Sequence, residues 1–197
     1  MYNLDGIPAD EFRIIQEEHE NFKKSLGDLT LNWADLESAI RSVLRHYAGV
    51  STPVARALFS GTRARVAMDM IESIANNTNL DAERANDLNE VFSVVRSLNT
   101  MRDFLVHHVD GSMIESSDDN PRLRKLSNFD SVSRPTKGKT FWISSSVVHD
   151  MCHDMTECCW RLLAHRDSTE PFQRGLGPSG APAPWRYKPP QPVRDGR

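Results

Sequence analysis

The side chains best suited to chemistry in this chain gather between Met101 and Gly111, in the run MRDFLVHHVDG. An arginine is followed at once by an aspartate, and four residues separate Arg102 from His107. Placed on a helix at about 100° per residue, Arg102, Asp103 and His107 share one side. An apolar stripe of Val91, Val94, Leu98, Met101 and Leu105 lies roughly opposite. Asp103 and His107 are four apart and therefore neighbours, so the carboxylate can hold the ring's tautomer and raise its basicity. Arg102 brings a planar fork suited to phosphate. These three groups form a kit for cutting RNA. A histidine removes the proton of a ribose 2′-hydroxyl, which attacks the neighbouring phosphate, and an arginine stabilises the charge building on phosphorus. Such a step requires no protein nucleophile, metal or other cofactor. Asn99 and Arg96 continue the polar face one and two turns back. His108 flanks the stripe beside Met101 and is counted with them among the candidate RNA contacts.

Spacing alone has a bland reading too, a solvated helix end whose basic groups suit the helix dipole. The same spacing recurs at Arg41 and His46, where Ser42 replaces the aspartate and Arg45 is the nearer partner of the histidine.

The elements that would position these groups are helical. Phe12, Ile14, Ile15, His19 and Phe22 give an amphipathic run from Asp10 to near Gly27. A second helix is expected just after Leu31, capped by Asn32, with Trp33, Leu36, Ile40, Val43, Leu44 and Tyr47 at three- and four-residue steps and Gly49 closing it. Ser51-Thr52-Pro53 marks a fresh helix start. A further helix covers roughly 62–76, with Val66, Met70, Ile71 and Ile74 facing inward. The best supported helix runs from about Asp81 to His107 on Leu88, Val91, Val94, Val95, Leu98, Met101 and Leu105.

From 109 to 143 the texture changes to turn formers, charges and short extended runs at 112–114, 122–126 and 140–143, which predict a small hairpin or meander. Ser144, Ser145 and Ser146 offer caps for a last helix lined by Val147, Val148, Met151, Met155, Cys158, Leu162 and Leu163. The segment 166–197 holds seven of the eleven prolines and four of the ten glycines, and is expected to be a disordered tail. Its Pro189-x-x-Pro192 could dock a partner as a polyproline helix, though a solvated tail is the simpler reading. The expectation is a mainly α bundle over 1–165, with a small β-hairpin insertion before the last helix and the Pro-rich tail after it.

A chain of 197 residues with net charge −3 and a pI near 6.2 does not read as a strongly basic coat for nucleic acid. No apolar run is long enough for a membrane span, and the first residues lack the basic start and apolar core of a signal peptide. Three cysteines propose no disulfide framework, so a reducing cytoplasm is the expected setting.

The run RDFLVH at 102–107, leaving through VHHVDG, resembles the motif of the HEPN superfamily (higher eukaryotes and prokaryotes nucleotide-binding). That motif is Arg, then Asn, Asp or His, then His after four to six residues. NWADLESAIRSVL, followed by a glycine loop and an Arg-containing helix, is similar to the same bundles. The likeness covers roughly Leu31 to Gly111. It implies a homodimer whose two motifs face each other across a cleft, metal-independent endoribonuclease activity, and use as a toxin or antiviral defence effector, with an antitoxin or activating protein as a possible partner. Under it Arg102 binds phosphate, Asp103 is the polar partner and His107 is the base. The family's catalytically silent members give the alternative, a module that binds RNA, a nucleotide or a protein.

Arg122, Arg124, Lys125, Arg134, Lys137 and Lys139 make the insertion locally basic, so it could track an RNA backbone or be an ordinary charged loop. Phe141 and Trp142 could stack bases or anchor a strand. His149 and His153 are four apart on a helix but lack a third ligand, and read as structural.

Overall fold

The computed structural model describes residues 9–108, 116–117, 120–127, 140–166 and 184–191. Among these residues the chain is a mainly helical bundle of five helices, with three short strands between the fourth and fifth.

The first helix, α1 (Ala9–Tyr47), is one element of 39 residues rather than two helices parted near Gly27. The reason lies in the burial pattern. Ile15, Glu18, Phe22, Leu29, Trp33, Leu36, Ile40 and Val43 are all buried, a stripe whose helical phase passes straight through the glycine. A mid-helix glycine costs roughly 1 kcal/mol against alanine, less than an interrupted stripe would lose. At the far end, Gly49 takes φ +63°. The Val50 and Gly49 amides return to the carbonyls of Arg45 and His46 at 3.4 and 3.0 Å, which is a Schellman closure.

Next come α2 (Thr52–Phe59), a short helix without a buried residue, and α3 (Ala64–Asn77). In α3 the inward face is Ala64, Ala67, Met68 and Ile71, whereas Val66 and Met70 are 44 % and 39 % exposed. Side-chain size alone mis-phased this helix, because alanines form the face that packs closely. Asp81 caps α4 (Ala82–His108) by accepting the Arg84 amide at 2.9 Å. Leu88, Val91, Val95, Leu98, Met101 and Leu105 are buried in it as expected, joined by Phe92, while Val94 of the expected stripe is only partly buried.

Strands β1 (Ser116–Ser117), β2 (Asn120–Ser127) and β3 (Thr140–Ile143) form an antiparallel sheet in that order. Leu126 stands opposite Phe141 and Arg124 opposite Ile143. The extended run expected at 112–114 lies outside the described residues. The last helix is α5 (Ser145–Ala164). Its cap is not the serine cluster alone: the Ser145 amide donates to Glu18 of α1 at 2.8 Å, and a carboxylate there also suits the helix dipole.

The described residues gather into two compact units. One draws on 9–29, 100–150 and 187–191, the other on Thr30–Asn99 and Met151–Arg186. Within the segment expected to be a disordered tail, residues 184–191 are described and take a definite place. The Arg186 amide donates to both oxygens of Asp154 at 3.0 and 3.1 Å, and Tyr187 is buried. Aromatic anchors at Trp185 and Tyr187 outweigh the surrounding prolines. No helix among the described residues is long and apolar enough to cross a membrane.

Candidate functional site

The end of α4 is oriented by Met101 and Leu105, which are 5 % and 1 % exposed. Burying those two turns the other sides of the helix outward. Arg102 and Asp103 are therefore partly exposed, and His107, one turn on from Asp103, is exposed. Arg102 Nη1 donates to Asp103 Oδ1 at 2.7 Å. At the surface such a pair contributes about 0–1 kcal/mol to stability, so its value is electrostatic. The guanidinium neutralises a carboxylate that would otherwise repel phosphate, and one carboxylate oxygen is thereby held by Arg102. In the same unit Phe104 meets Phe141 of β3 edge to face, with centroids 4.8 Å apart. Phe141 is thus a buried anchor that ties the strand to α4, and Trp142 beside it is partly exposed.

The other candidate RNA contacts are placed differently. Arg96 lies in the second unit, where its Nη2 donates to both oxygens of Glu72 at 2.8 Å and to Asp69 at 3.4 Å. The bond to Glu72 raises its pKa above the usual arginine value, and Asp69 adds to this. The Arg96 fork is thus engaged by two α3 acids. Asn99 belongs to that unit as well and is partly buried. His108 ends α4, and its side chain lies outside the described residues. Arg122, Arg124 and Lys125 fall in β2, where only the backbone is described. Arg134, Lys137 and Lys139 lie outside the described residues. His149 is exposed, and His153 Nδ1 pairs with Asp154 Oδ1 at 3.1 Å. Among the described residues no three His, Cys, Asp or Glu side chains are grouped to hold a metal ion.

The second unit holds a polar cluster that periodicity did not reveal. Asp87 of α4 accepts from Arg161 of α5 and pairs through its other oxygen with His165 Nε2 at 2.9 Å. His165 Nδ1 stands 3.1 Å from the Tyr47 hydroxyl. Burial pushes the Tyr47 pKa up to about 12. The Tyr47 hydroxyl and the Asp87 carboxylate thus engage both ring nitrogens of His165. Arg161 also reaches Glu90 at 2.9 Å. The Trp185 indole donates to that same oxygen at 2.8 Å and lies 4.9 Å from the guanidinium carbon. The Asp–His–Tyr order resembles a catalytic relay, but the His165 side chain is 0 % exposed, which denies it a substrate. Its work is to clamp α1, α4, α5 and the stretch at Trp185 together. One sequence signal could have found it: Asp87 and Arg161, of opposite sign, sit beside Leu88 and Leu162 at core-facing positions of their helices.

Comparison with family models, curated proteins and solved structures finds no match to this chain.

Proposed function

We propose that this chain is a metal-independent endoribonuclease of the HEPN type, working as a cytoplasmic homodimer in the manner of a toxin or anti-phage effector. The observation that carries the reading is the exposed His107 one helical turn from an Arg102–Asp103 pair. His107 takes the proton of a ribose 2′-hydroxyl. The 2′-oxygen then bonds to phosphorus, and the bond from phosphorus to the 5′-oxygen breaks. The leaving oxygen is protonated by water or by the second His107 of the dimer, and Arg102 offsets the charge on the phosphoryl oxygens. The test is incubation of purified protein with total RNA in EDTA, beside His107→Ala and Arg102→Ala. Cleavage leaving 2′,3′-cyclic phosphate ends, absent in both variants, is expected. Intact RNA with a folded wild-type dimer would overturn the proposal.

The engagement of Arg102 by Asp103 favours a second reading, a silent HEPN-like module that binds RNA, a nucleotide or a protein. It predicts retained RNA binding without cleavage, weakened by Arg102→Ala and indifferent to His107→Ala.

A further inference from the structure

The repeat of the Arg-x4-His spacing at Arg41 and His46 falls beside a cavity. The second unit opens a hollow of about 480 Å³ between the last turns of α1 and the short α2, lined among others by Arg41, Ser42, Arg45, Thr52, Arg56 and Phe59. Small-molecule sites run from about 300 to 1,000 Å³. A second hollow of about 400 Å³ shares Arg45 and Thr52 with the first and adds His46 and Arg166. Among the described residues no acidic side chain lines either one. Glu37 reaches Arg41 from one turn back at 3.6 Å, across partly exposed side chains. Arg45 Nη1 is held across the hollow by a 2.7 Å bond to the Thr52 hydroxyl.

Three guanidiniums line this hollow in a chain whose net charge is −3, and an anion bound among them would be attracted by all three. His46, exposed beside the second hollow, has its imidazole lowered below the ordinary value, first by the desolvation it does suffer and then by Arg84, Arg166, His165 and, last, Arg45. Hydroxyls at Ser42 and Thr52 supply donors between the charges. Phe59, partly exposed, supplies an apolar wall. Because α2 buries no residue, its sequence is not accounted for by the core.

We propose that this cavity binds a small phosphorylated molecule, a phosphate monoester or diphosphate, with the phosphate held by Arg41, Arg45 and Arg56 and the ligand's body against Phe59. The site shares no residue with the Arg102–His107 motif, so neither reading depends on the other. Calorimetric titration of the full chain with inorganic phosphate and with pyrophosphate tests it. Saturable one-site binding is expected, weakened about tenfold or more in Arg56→Gln and in Arg45→Gln, the loss of one charge-assisted bond. Arg56→Gln should leave the thermal midpoint in place, since nothing in α2 is buried. Binding that never saturates, or that neither variant weakens relative to the wild type, would overturn the assignment. So would a 5′-phosphorylated oligoribonucleotide bound far more tightly than pyrophosphate through the same arginines, because the surface would then track a nucleic-acid backbone.

Discussion

Asp87 and Arg161 are joined by two hydrogen bonds, the guanidinium Nε and Nη2 reaching one carboxylate oxygen at 3.0 and 2.6 Å, with both side chains no more than 3 % exposed. A charged pair so far from water is stable only while both members remain. Asp87→Asn keeps the shape but leaves Arg161 facing a neutral amide and removes the acceptor that orients His165. The expected loss is about 3–5 kcal/mol, read as a lower midpoint in urea with an unchanged slope. A loss below about 1 kcal/mol would mean the pair is not the clamp described.

Alkali should unfold the protein through its buried phenols. Burial raises Tyr47 and Tyr187 to about 12, against about 10 for an exposed tyrosine. A pKa higher in the folded state means that the folded state holds the proton more tightly. That stability is complete below pH 10 and is lost as pH rises toward 12. Denaturant midpoints measured across this interval should fall, and Tyr47→Phe should flatten the decline. A midpoint constant through pH 12 would contradict the buried-phenol account.

Gly27 offers a gain. It lies inside α1, is exposed, and a Cβ built there meets nothing within 4 Å. Gly27→Ala should stabilise the protein by about 0.5–1 kcal/mol, visible as a higher thermal midpoint. A destabilised variant would show that α1 needs flexibility at this point.

The thiols at the centre of α5 should be inert. Burial pushes Cys158 well above its ordinary value, and burial with some repulsion from Asp35 raises Cys159 to about 12. Thiolate is the reactive form, so both should resist iodoacetamide at neutral pH until denaturant is added, as followed by mass spectrometry. Rapid alkylation of the folded chain would refute the burial of Cys158 and the partial burial of Cys159.

Removing His107, the proposed base, should separate chemistry from stability. His107 is exposed, so His107→Ala should move the unfolding free energy by less than about 0.5 kcal/mol. Under the proposed mechanism it should lower RNA cleavage about 10²–10⁴-fold. Under the same mechanism Asp103→Asn should instead act through phosphate binding, shifting KM more than kcat, because Asp103 bonds to Arg102, the proposed phosphate ligand.

Much of the helical layout is legible in the residues because burial imposes a period. The stripe in α4 from Leu88 to Leu105 appears in sequence and in the core alike. The same logic places Arg102, Asp103 and His107 off that stripe before any coordinates are known. It fails where something other than large apolar side chains decides. Alanines set the phase of α3, and Gly27 looked like a stop because a glycine's local cost is visible in sequence while the continuity of the stripe is not.

The sequence by itself determined the helical class, the glycine closure after Tyr47, the start of α2 at Thr52, and a cluster of reactive groups before Gly111. Each follows from interactions within a few residues of chain, where backbone preference and helical period act. Tertiary structure alone decided that Glu18 caps α5, that Arg96 is held by α3 acids, and that Tyr47, Asp87, Arg161 and His165 form one buried cluster. It also decided that Arg41, Arg45 and Arg56 line one cavity. Tyr47 and His165 are 118 positions apart. No local period encodes such a meeting, because a buried charge finds its partner only once the helices carrying both have packed.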